Sequence, residues 1–504
     1  MRRSLLLTTA VAALALPTGL AQAQTTDFVA TLSDGVLPDP TPFGLALVRL
    51  TDNPAPGGDV LVVRGLFRDL GSAYAASRIR GTTGGAPVVQ NLAAGVAETG
   101  RNGGWGAAEN AYGISEELTA AILAGGARIE ITTEAVPDGS LGGRLIALPV
   151  LVDGTVDEAA YQPVATKLNT NAGFGPDIDA TATRVYLSQE ADIAVLGVTG
   201  RLNTASNDGI GLWTGALGGG IPAGTPLGGV PAAGHYLGAG GNTGFAADFP
   251  VLLAFALNPG GGTESVFADV VRYGGADAAS ATADYLGPTP QDGTVSIGPT
   301  DLAANDGTSF PPVPYTAFAF RNDGAATSGF EILLPLRDLG FPVPVGGAAA
   351  ASPAARGGGA VSAAAFVVSA TAFFSDVTVP GNVTTGNLGF NPNFATLAGG
   401  PFSASGGGFT ALAEAPRGES ALRLVGPNPT GARTRLVLTL AEAQTVRVDV
   451  VDALGRVVAV LHDGALSAGE TPLTADAAAL PAGVYAVRVS GAAVRATQRL
   501  TVVR

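Results

Sequence analysis

Short apolar runs that alternate with polar residues recur along the chain, and this feature most limits how it can fold. Residues 446–451, Val-Arg-Val-Asp-Val-Val, show the two-residue period of a strand with one buried face. Similar runs occur at 28–33, 44–50 and 59–66, between clusters of Gly, Pro, Asn and Asp. The hydrophobic fraction is 46%, with 73 glycines and 34 prolines in 504 residues. The pattern predicts an all-β protein, and its length predicts about three successive β-sandwiches of the immunoglobulin-like or jelly-roll-like kind.

The charge and cysteine content narrow the possible partners and sites. The formal net charge is −14, the charged fraction is 13%, and Lys167 is the single lysine. An acidic surface repels phosphate backbones and anionic lipid, so we do not expect nucleic acid as a partner. The chain has no cysteine. Its stability must therefore come from hydrophobic cores rather than disulfides, and thiolate metal sites are excluded.

Residues 1–23 have the features of a secretory signal peptide. Met1-Arg-Arg is followed by an apolar run at 4–16, and the sequence Leu-Ala-Gln-Ala ends in the small-x-small pattern of a cleavage site. We predict cleavage after Ala23. The apolar run is too short to span a bilayer, and no later stretch is long and apolar enough, so we expect no transmembrane span.

An ordered series of motifs fills residues 422–504. A proline-flanked opening is followed by strand-like runs, a Leu-Gly-Arg turn, a Gly-Val-Tyr strand and a basic terminus at Arg504. This order resembles the type A sorting domain of the bacterial type IX secretion system, although Lys is commoner than Arg at the last position. The motif positions are Pro427, Asn428, Pro429, Leu454, Gly455, Arg456, Gly483 and Tyr485.

This resemblance implies export. Domains of this family are recognised at the outer membrane by the type IX secretion machinery and removed by its sortase, so we expect a cut around Ser405–Ser420, in the linker at 404–421. Together with the signal peptide, the domain predicts a secreted or cell-surface protein of a Gram-negative type of bacterium. The alternative is that 422–504 only adds stability and has no sorting role.

Residues 24–149 contain a series of strand-like runs that leads to a Pro137-Asp-Gly-Ser-Leu-Gly-Gly turn. The series resembles a CHRD domain, the β-sandwich module named after chordin. That family usually has an Ala-x-His-x-His strand and a further late histidine, whereas Arg78, Arg80 and Thr132 occupy those positions here. Clustered imidazoles would have indicated a transition-metal site, but guanidinium groups repel a metal cation.

Arg78 and Arg80 lie two residues apart, so both point to one face of the predicted strand. Guanidinium groups in that arrangement can hold a carboxylate or sulfate through paired hydrogen bonds. The alternative is that both side chains are solvated or paired with acids such as Glu130 and Glu134. Both interpretations remain open at the level of the sequence.

Residues 150–403 are similar to a DOMON-like sandwich, as in family 9 carbohydrate-binding modules. An Asp-Gly-x-x-Asp opening at 153–157, a Glu-Ile-x-x-Pro-Leu strand at 331–336 and a Leu-Gly turn at 388–389 carry the resemblance. We expect one β-sandwich with long glycine-rich loops. Modules of this kind bind polysaccharide through exposed aromatic rings, because the C–H groups of sugars stack on π-faces.

Few aromatic residues qualify as sugar platforms. Trp213 ends an apolar run, which favours a position in the core. Trp105 is flanked by glycines in a loop-like stretch, which predicts exposure and makes it the better ligand contact. Tyr236 has a similar setting.

The small number of histidines argues against a Ser-His-Asp hydrolase and against a zinc enzyme. His235 and His462 are the two histidines, and His462 lies within the sorting region. A Ser-His-Asp triad would have to use His235, which has no Gly-x-Ser-x-Gly motif to accompany it. The usual histidine-rich zinc site is likewise excluded.

Two aspartate pairs remain as candidates for acid–base chemistry. Asp153 with Asp157 and Asp177 with Asp179 could serve a hydrolase, or their oxygens could bind calcium. Both pairs lie in turn-like sequences, where aspartate normally caps the backbone. No glycine run continues into the Lys-Ser/Thr of a phosphate-binding loop.

These observations predict an exported protein that is not an enzyme and that needs no cofactor. We expect a binding or adhesion module for polysaccharide or envelope components. Two alternatives are a structural surface or matrix protein without a small ligand, and a secreted glycoside hydrolase.

Overall fold

The structure is a computed structural model of the whole chain. The chain divides into two compact units, Met1–Thr410 and Ala411–Arg504, which we describe separately. The described residues are 23–33, 43–53, 58–82, 87–97, 100–137, 139, 141–206, 208–215, 220–227, 246–259, 265–273, 281–299, 315–341, 360–369, 375–383, 388–389, 392–406, 421–424, 433–440, 444–451, 456–466, 469–476, 480–491 and 495–502.

The first unit begins with an 11-stranded antiparallel sheet and a helix, α1 (Glu116–Leu123). Its strands are β1 (Gln24–Ser33), β2 (Phe43–Asp52), β3 (Val60–Arg68), β4 (Tyr74–Gly81), β5 (Val88–Leu92), β6 (Gly95–Val96), β7 (Gly103–Trp105), β8 (Ala111–Gly113), β9 (Ala127–Thr133), β10 (Leu141–Arg144) and β11 (Ile146–Ala147). The strand order is β5-β4-β9-β10-β1-β2-β3-β7-β6, with β11 beside β1 and β8 beside β3.

This sheet curls so that strands from its two halves share one core. Phe67 on β3 stacks on Tyr74 of β4, with the ring centroids 5.4 Å apart, although four strands separate β3 from β4 in the sheet. Leu118 and Ile122 of α1 pack into the same core. Further members from the strands are Phe28, Leu32, Val48, Leu61, Val63, Ile79, Ile129 and Ile131.

Two more antiparallel sheets complete the first unit. Their strands are β12 (Gln162–Thr166), β13 (Asp179–Ser188), β14 (Ile193–Arg201), β15 (Asp208–Gly215), β16 (Leu253–Pro259), β17 (Ser265–Arg272), β18 (Thr282–Pro290), β19 (Ser296–Gly298), β20 (Thr316–Phe320), β21 (Gly329–Pro335), β22 (Val361–Ser369), β23 (Thr378–Val379) and β24 (Ala404–Gly406), with a 3-10 helix at Leu336–Leu339. The six-stranded sheet has the order β12-β13-β14-β21-β20-β19. The seven-stranded sheet has the order β18-β17-β16-β15-β22-β23, with β24 beside β22.

The six-stranded sheet is buried on both faces. On β14, Ala194, Leu196 and Val198 point into the core that it shares with the seven-stranded sheet. Ile193 and Val195 point the opposite way, into a second core. Because successive side chains of a strand alternate between its faces, one strand serves two cores. This explains why β14 is an almost continuous apolar run rather than an alternating one.

The second core joins the six-stranded sheet to the 11-stranded sheet. Leu45 and Leu47 on β2 pack in it together with Val150 and with Ala317 on β20. The predicted boundary at residues 149 and 150 therefore passes through a hydrophobic core. Residues 24–149 and 150–403 lie in one compact unit, because each covers an apolar sheet face of the other.

The predicted linker at 404–421 begins inside a sheet. Residues 404–406 form β24, and Ala404 pairs with Ala363 of β22. The seven-stranded sheet therefore extends three residues into the predicted linker. Residues 407–420 of the predicted linker lie outside the described residues, and Ala421 begins the first strand of the second unit.

The second unit contains two small antiparallel sheets. Its strands are β25 (Ala421–Leu424), β26 (Arg433–Leu440), β27 (Gln444–Val451), β28 (Val457–Leu466), β29 (Gly469–Asp476), β30 (Gly483–Gly491) and β31 (Arg495–Val502). One sheet has the order β25-β26-β29 and the other β28-β27-β30-β31. Leu436 and Leu438 of the first sheet pack against Val448 and Val487 of the second, which gives the unit its own core.

The prediction of an all-β fold is confirmed, with α1 as the helix that interrupts it. The side chain of Ser115 accepts a hydrogen bond from the amide of Leu118, and Glu116 and Glu117 occupy the first turn. A capping serine followed by acidic residues favours a helix start, because both satisfy the free N–H groups there. Within the described residues, no helix is long and apolar enough to cross a membrane.

Candidate functional site

The sorting motif contributes one buried aromatic residue to the second unit. Tyr485 is two residues into β30 and packs in the core, while its hydroxyl donates to the carbonyl oxygen of Pro481 at 2.8 Å. Gly483 begins the same strand. Arg456 precedes β28 and is exposed. The other motif residues, Pro427, Asn428, Pro429, Leu454 and Gly455, lie outside the described residues.

A charged network lies on the solvent-facing side of the four-stranded sheet of the second unit. The two side-chain nitrogens Nε and Nη2 of Arg488 donate to the carboxylate of Asp449 at 3.1 and 3.0 Å. Arg447 lies 3.6 Å from the same carboxylate and donates to Asp463 at 2.5 Å. Valines at 457, 458, 460 and 484 are exposed in the same sheet. This unit therefore presents both fixed charges and apolar side chains to solvent.

The structure places the two arginines that the sequence predicted as a clamp on the same outward face of β4. Both point away from the core, since Ile79 between them is buried. Nε of Arg78 donates to Oε2 of Glu130 at 3.1 Å, so this residue is engaged in an ion pair. Arg80 is exposed. For Arg78, the structure thus shows the alternative with Glu130 as a partner, and the clamp of Arg78 and Arg80 stays a prediction.

Arg80 instead belongs to a row of three arginines on neighbouring strands. Arg80 of β4 pairs in register with Arg128 of β9, and Arg128 pairs with Arg144 of β10. Cross-strand partners lie on the same face of a sheet, about 5 Å from strand to strand. The side chains of Arg128 and Arg144 are 53% and 61% exposed. We call these three residues the arginine row.

The sequence analysis missed Arg128 and Arg144 as site residues. Arg128 lies two residues before Glu130 on an alternating strand, which predicts its outward direction. The pairing of three strands that are not consecutive in sequence decides that the arginines are neighbours. No pattern within one strand contains that information.

The prediction that Trp105 is exposed is wrong. Trp105 ends β7, is 2% exposed, and donates from Nε1 to Oγ of Ser77 at 2.8 Å. The glycines before it serve close packing rather than a loop, because a Cβ at Gly103 would lie 2.4 Å from the ring of Phe67. A sugar ring cannot stack on a tryptophan in this position.

Trp213 is fully buried, as its apolar run predicts. Its ring lies 5.3 Å from that of Phe366 on the outer side of the seven-stranded sheet. His235 and Tyr236 lie outside the described residues. His462 is on β28 of the second unit.

One aspartate of each predicted pair has a partner in the structure. Asp153 Oδ1 accepts from the amide of Thr155 at 2.9 Å, the turn role expected of it. Asp179 begins β13 and forms an ion pair with Lys167 at 2.7 Å, beside a cleft of about 470 Å³. Among the described residues, no group of three or more His, Asp or Glu side chains could hold a metal ion.

The sequence analysis also missed Glu331, a fully buried acid in the middle of β21. Its Oε2 accepts from the amides of Asp153 and Gly154 at 2.8 and 2.6 Å, and its Oε1 accepts from the hydroxyl of Tyr161. Burial raises the pKa of Glu331 to about 8, against the opposing effect of these three donors. A buried acid with this set of partners holds the chain between the first two sheets in place.

A second buried acid holds the same part of the chain from the other side. Nε and Nη2 of Arg49 donate to the two oxygens of Asp27, each at 2.7 Å. The amide of Val152 donates to Asp27 at 3.3 Å, and Arg49 donates to the carbonyl of Val152 at 3.2 Å. We call residues 150–155 the connecting segment. Asp27 and Arg49 bind it to the 11-stranded sheet, and Glu331 binds it to the six-stranded sheet.

Comparison with known proteins identifies the second unit. A scan of protein families matches residues 425–503 to the secretion system C-terminal sorting domain. The search of curated proteins finds no match. Among solved structures, the crystal structure of a tetra-tandem repeat in the extending region of a large adhesion protein is 12% identical, covers 88% of this chain and 95% of that chain, and has a TM-score of 0.15. A TM-score of this size does not indicate a common fold.

The family match covers the residues that carry the motif order and the separate core formed by Leu436, Val448 and Tyr485. The CHRD-like and DOMON-like resemblances of the first unit stay predictions. Residues 425–503 are a type IX secretion system C-terminal sorting domain, which implies that the protein is secreted or displayed on the cell surface through that system.

Proposed function

We propose that residues 24–406 act outside the cell as a non-enzymatic binding module for polysaccharide or another envelope component. The observation that carries the proposal is the arginine row, an exposed row of like charges in a protein of net charge −14. Like charges that lie directly opposite each other on a sheet are destabilising. Such an arrangement is more easily explained by a contact with a ligand than by stability.

The position of the sorting domain supports the same proposal. The domain directs the protein out of the cell, and we propose that the sortase then cuts within residues 404–421. The working part would be residues 24–406, and the sorting domain would leave with His462. In this proposal, the first 23 residues serve as the signal peptide and are removed after Ala23.

The export part of the proposal is tested in the native host. We expect mass spectrometry of surface and medium fractions to find a mature N-terminus at Gln24 and a C-terminus within 404–421. Recovery of the peptide that ends in Arg504 from surface-exposed protein would count against removal of the sorting domain. Detection of residues 1–23 in the same material would count against cleavage after Ala23.

The binding part is tested with the purified full chain and insoluble polysaccharides. We expect the protein to sediment with at least one polysaccharide, and to release no sugar from it. Release of reducing sugar that stops after replacement of a single carboxylate would contradict the non-enzymatic part of the proposal.

A second candidate function is a structural surface protein without a small ligand. The observation that favours it is that three sheets share hydrophobic cores within one compact unit. Dense coating of cells by a protein that binds no glycan on an array would favour this candidate over the binding module.

A further inference from the structure

The four arginines of β4, β9 and β10 outnumber the acids that contact them. Arg78 and Arg128 contact Glu130, at 3.1 and 3.6 Å. Arg144 lies 4.0 Å from the exposed carboxylate of Glu190. Among the described residues, Glu130 and Glu190 are the acids that form ion pairs with these four arginines. Two negative charges face four positive charges, so this surface has a net positive charge.

Two of the guanidinium groups, those of Arg128 and Arg144, also lie close to the backbone of neighbouring residues. A Cβ at Gly142 would lie 2.5 Å from Nη2 of Arg128, so the absence of a side chain there makes room for that guanidinium. Nη2 of Arg144 donates to the carbonyl of Gly125 at 3.4 Å. Both side chains are thus partly ordered before any ligand arrives, which lowers the entropic cost of binding.

Apolar and amide groups lie next to the arginines on the same face. Val89 of β5 pairs in register with Arg80 and is 46% exposed. Asn91 pairs with Arg78 and is exposed. The face therefore combines guanidinium groups, which bind oxyanions in pairs of hydrogen bonds, with methyl groups and an amide that suit the C–H and hydroxyl groups of a sugar.

We propose that the arginine row binds an anionic polysaccharide, with carboxylate or sulfate groups of the chain held by Arg80, Arg128 and Arg144. The inference rests on the binding function proposed above and specifies its ligand. Neighbouring strands are about 5 Å apart, so the Cα atoms of the three arginines span about 10 Å across the sheet. An extended chain lying across the strands meets them one after another.

The overall charge of the protein selects against more densely charged polymers. The net charge of −14 repels a polyanion that extends beyond the arginine row, and the repulsion acts over about 10 Å at moderate salt. Double-stranded DNA carries one charge per about 1.7 Å of its axis, so it would suffer this repulsion along its length. A polysaccharide with separated acidic groups suffers it less.

The test compares dextran sulfate and the polyuronate alginate with neutral dextran and with double-stranded DNA, using the full chain at low salt. We expect the protein to bind at least one charged polysaccharide and not dextran, and the affinity to fall as salt rises. Arg80→Gln should weaken binding about 3- to 10-fold, and Arg80→Gln/Arg128→Gln/Arg144→Gln more than about 30-fold, because each removes a charge-assisted contact. Comparison of the two charged polysaccharides decides between sulfate and carboxylate.

Arg201→Gln is the matched control. Arg201 is an exposed arginine at the end of β14, so its replacement makes the same change in charge at a site away from the arginine row. Its affinity should equal that of the wild type, and no variant should unfold at a lower midpoint than the wild type.

Several results would overturn the inference. Equal binding to dextran, equal binding to double-stranded DNA, or full binding by the triple variant would each do so while leaving the broader binding function standing. Failure to bind any polysaccharide, charged or neutral, would remove the proposed function as well.

Discussion

Glu331 accepts a hydrogen bond from the hydroxyl of Tyr161, and both side chains are shielded from solvent between the first two sheets. Burial also raises the pKa of Tyr161 well above its ordinary value, and the nearby carboxyl of Glu331 adds to the effect. The pair therefore favours its neutral form at neutral pH. Ionisation of Glu331 would place a buried negative charge near Glu158, whose charge also raises the pKa of Glu331.

The stability of the first unit should fall as the pH rises through the titration of Glu331. Its folded pKa of about 8 lies above the ordinary 4.5, so the stabilisation is fully present below about pH 4.5 and is lost above about pH 8. Glu331→Gln keeps an oxygen for the amides of Asp153 and Gly154 and cannot ionise. From about 1.4 kcal/mol per pKa unit, we expect the wild type to lose roughly 4 kcal/mol relative to this variant between about pH 5 and pH 9.

Urea unfolding of the two proteins at a series of pH values measures this difference. The comparison cancels the pH dependence of the other acids, which both proteins share. A constant difference from acid to alkaline pH would show that Glu331 does not titrate in this range.

Replacement of one partner of the buried Asp27–Arg49 ion pair should lower the free energy of unfolding strongly. The side chain of Asp27 is fully buried, whereas that of Arg49 is 23% exposed. Arg49→Met leaves a buried carboxylate without its partner, and we expect a loss of about 3–5 kcal/mol in the free energy of unfolding. Asp27→Leu combined with Arg49→Met should cost much less, because no charge is left behind. Chemical denaturation of both variants checks this, and equal losses would contradict it.

Replacement of Trp105 should act on stability. Its ring packs 5.3 Å from that of Phe67 in the core, and its Nε1 is bonded to Ser77. Trp105→Ala should lower the free energy of unfolding by about 3–5 kcal/mol, as for other large core aromatics. Trp105→Phe, which keeps a ring in the core, should cost less. Thermal unfolding and a parallel polysaccharide-binding assay distinguish a role of Trp105 in core packing from a role in ligand contact. A Trp105→Ala protein that is stable but no longer binds polysaccharide would support the ligand contact.

Tyr485 should matter for export through its ring more than through its hydroxyl. Tyr485→Ala removes a core aromatic from the sorting domain, at about 3–5 kcal/mol. Tyr485→Phe removes one hydrogen bond to Pro481, at about 1 kcal/mol. With residues 407–504 fused to an inert reporter in a host that has the secretion system, we expect export with Phe and periplasmic retention with Ala. Retention of both variants would assign a recognition role to the hydroxyl.

The strands could be predicted from local sequence patterns, whereas the cores shared between sheets could not. The alternation of apolar and polar residues at 446–451 predicted β27, because a strand with one buried face has this two-residue period in its sequence. Glu331 interrupts an otherwise apolar run, and its burial depends on Tyr161 and on the connecting segment, over a hundred positions away in the chain. Local sequence therefore predicts the direction of a side chain and leaves open what covers it.

The same limit explains the errors at the candidate site. Glycines next to Trp105 are equally compatible with a loop and with a strand packed tightly on Phe67. The neighbours of Arg80 depend on the register of β4, β9 and β10, which is set by tertiary pairing. The sorting motif was readable because its residues lie close together along one short domain.

The hydrophobic core that joins the first two sheets limits how such proteins can evolve. A gene fragment that encodes residues 24–149 alone would produce a sheet with Leu45 and Leu47 uncovered, and such a fragment would tend to aggregate. Recombination at this boundary is therefore disfavoured, unlike recombination ahead of the sorting domain. We therefore expect related genes to inherit residues 24–406 together and to exchange only the sorting domain.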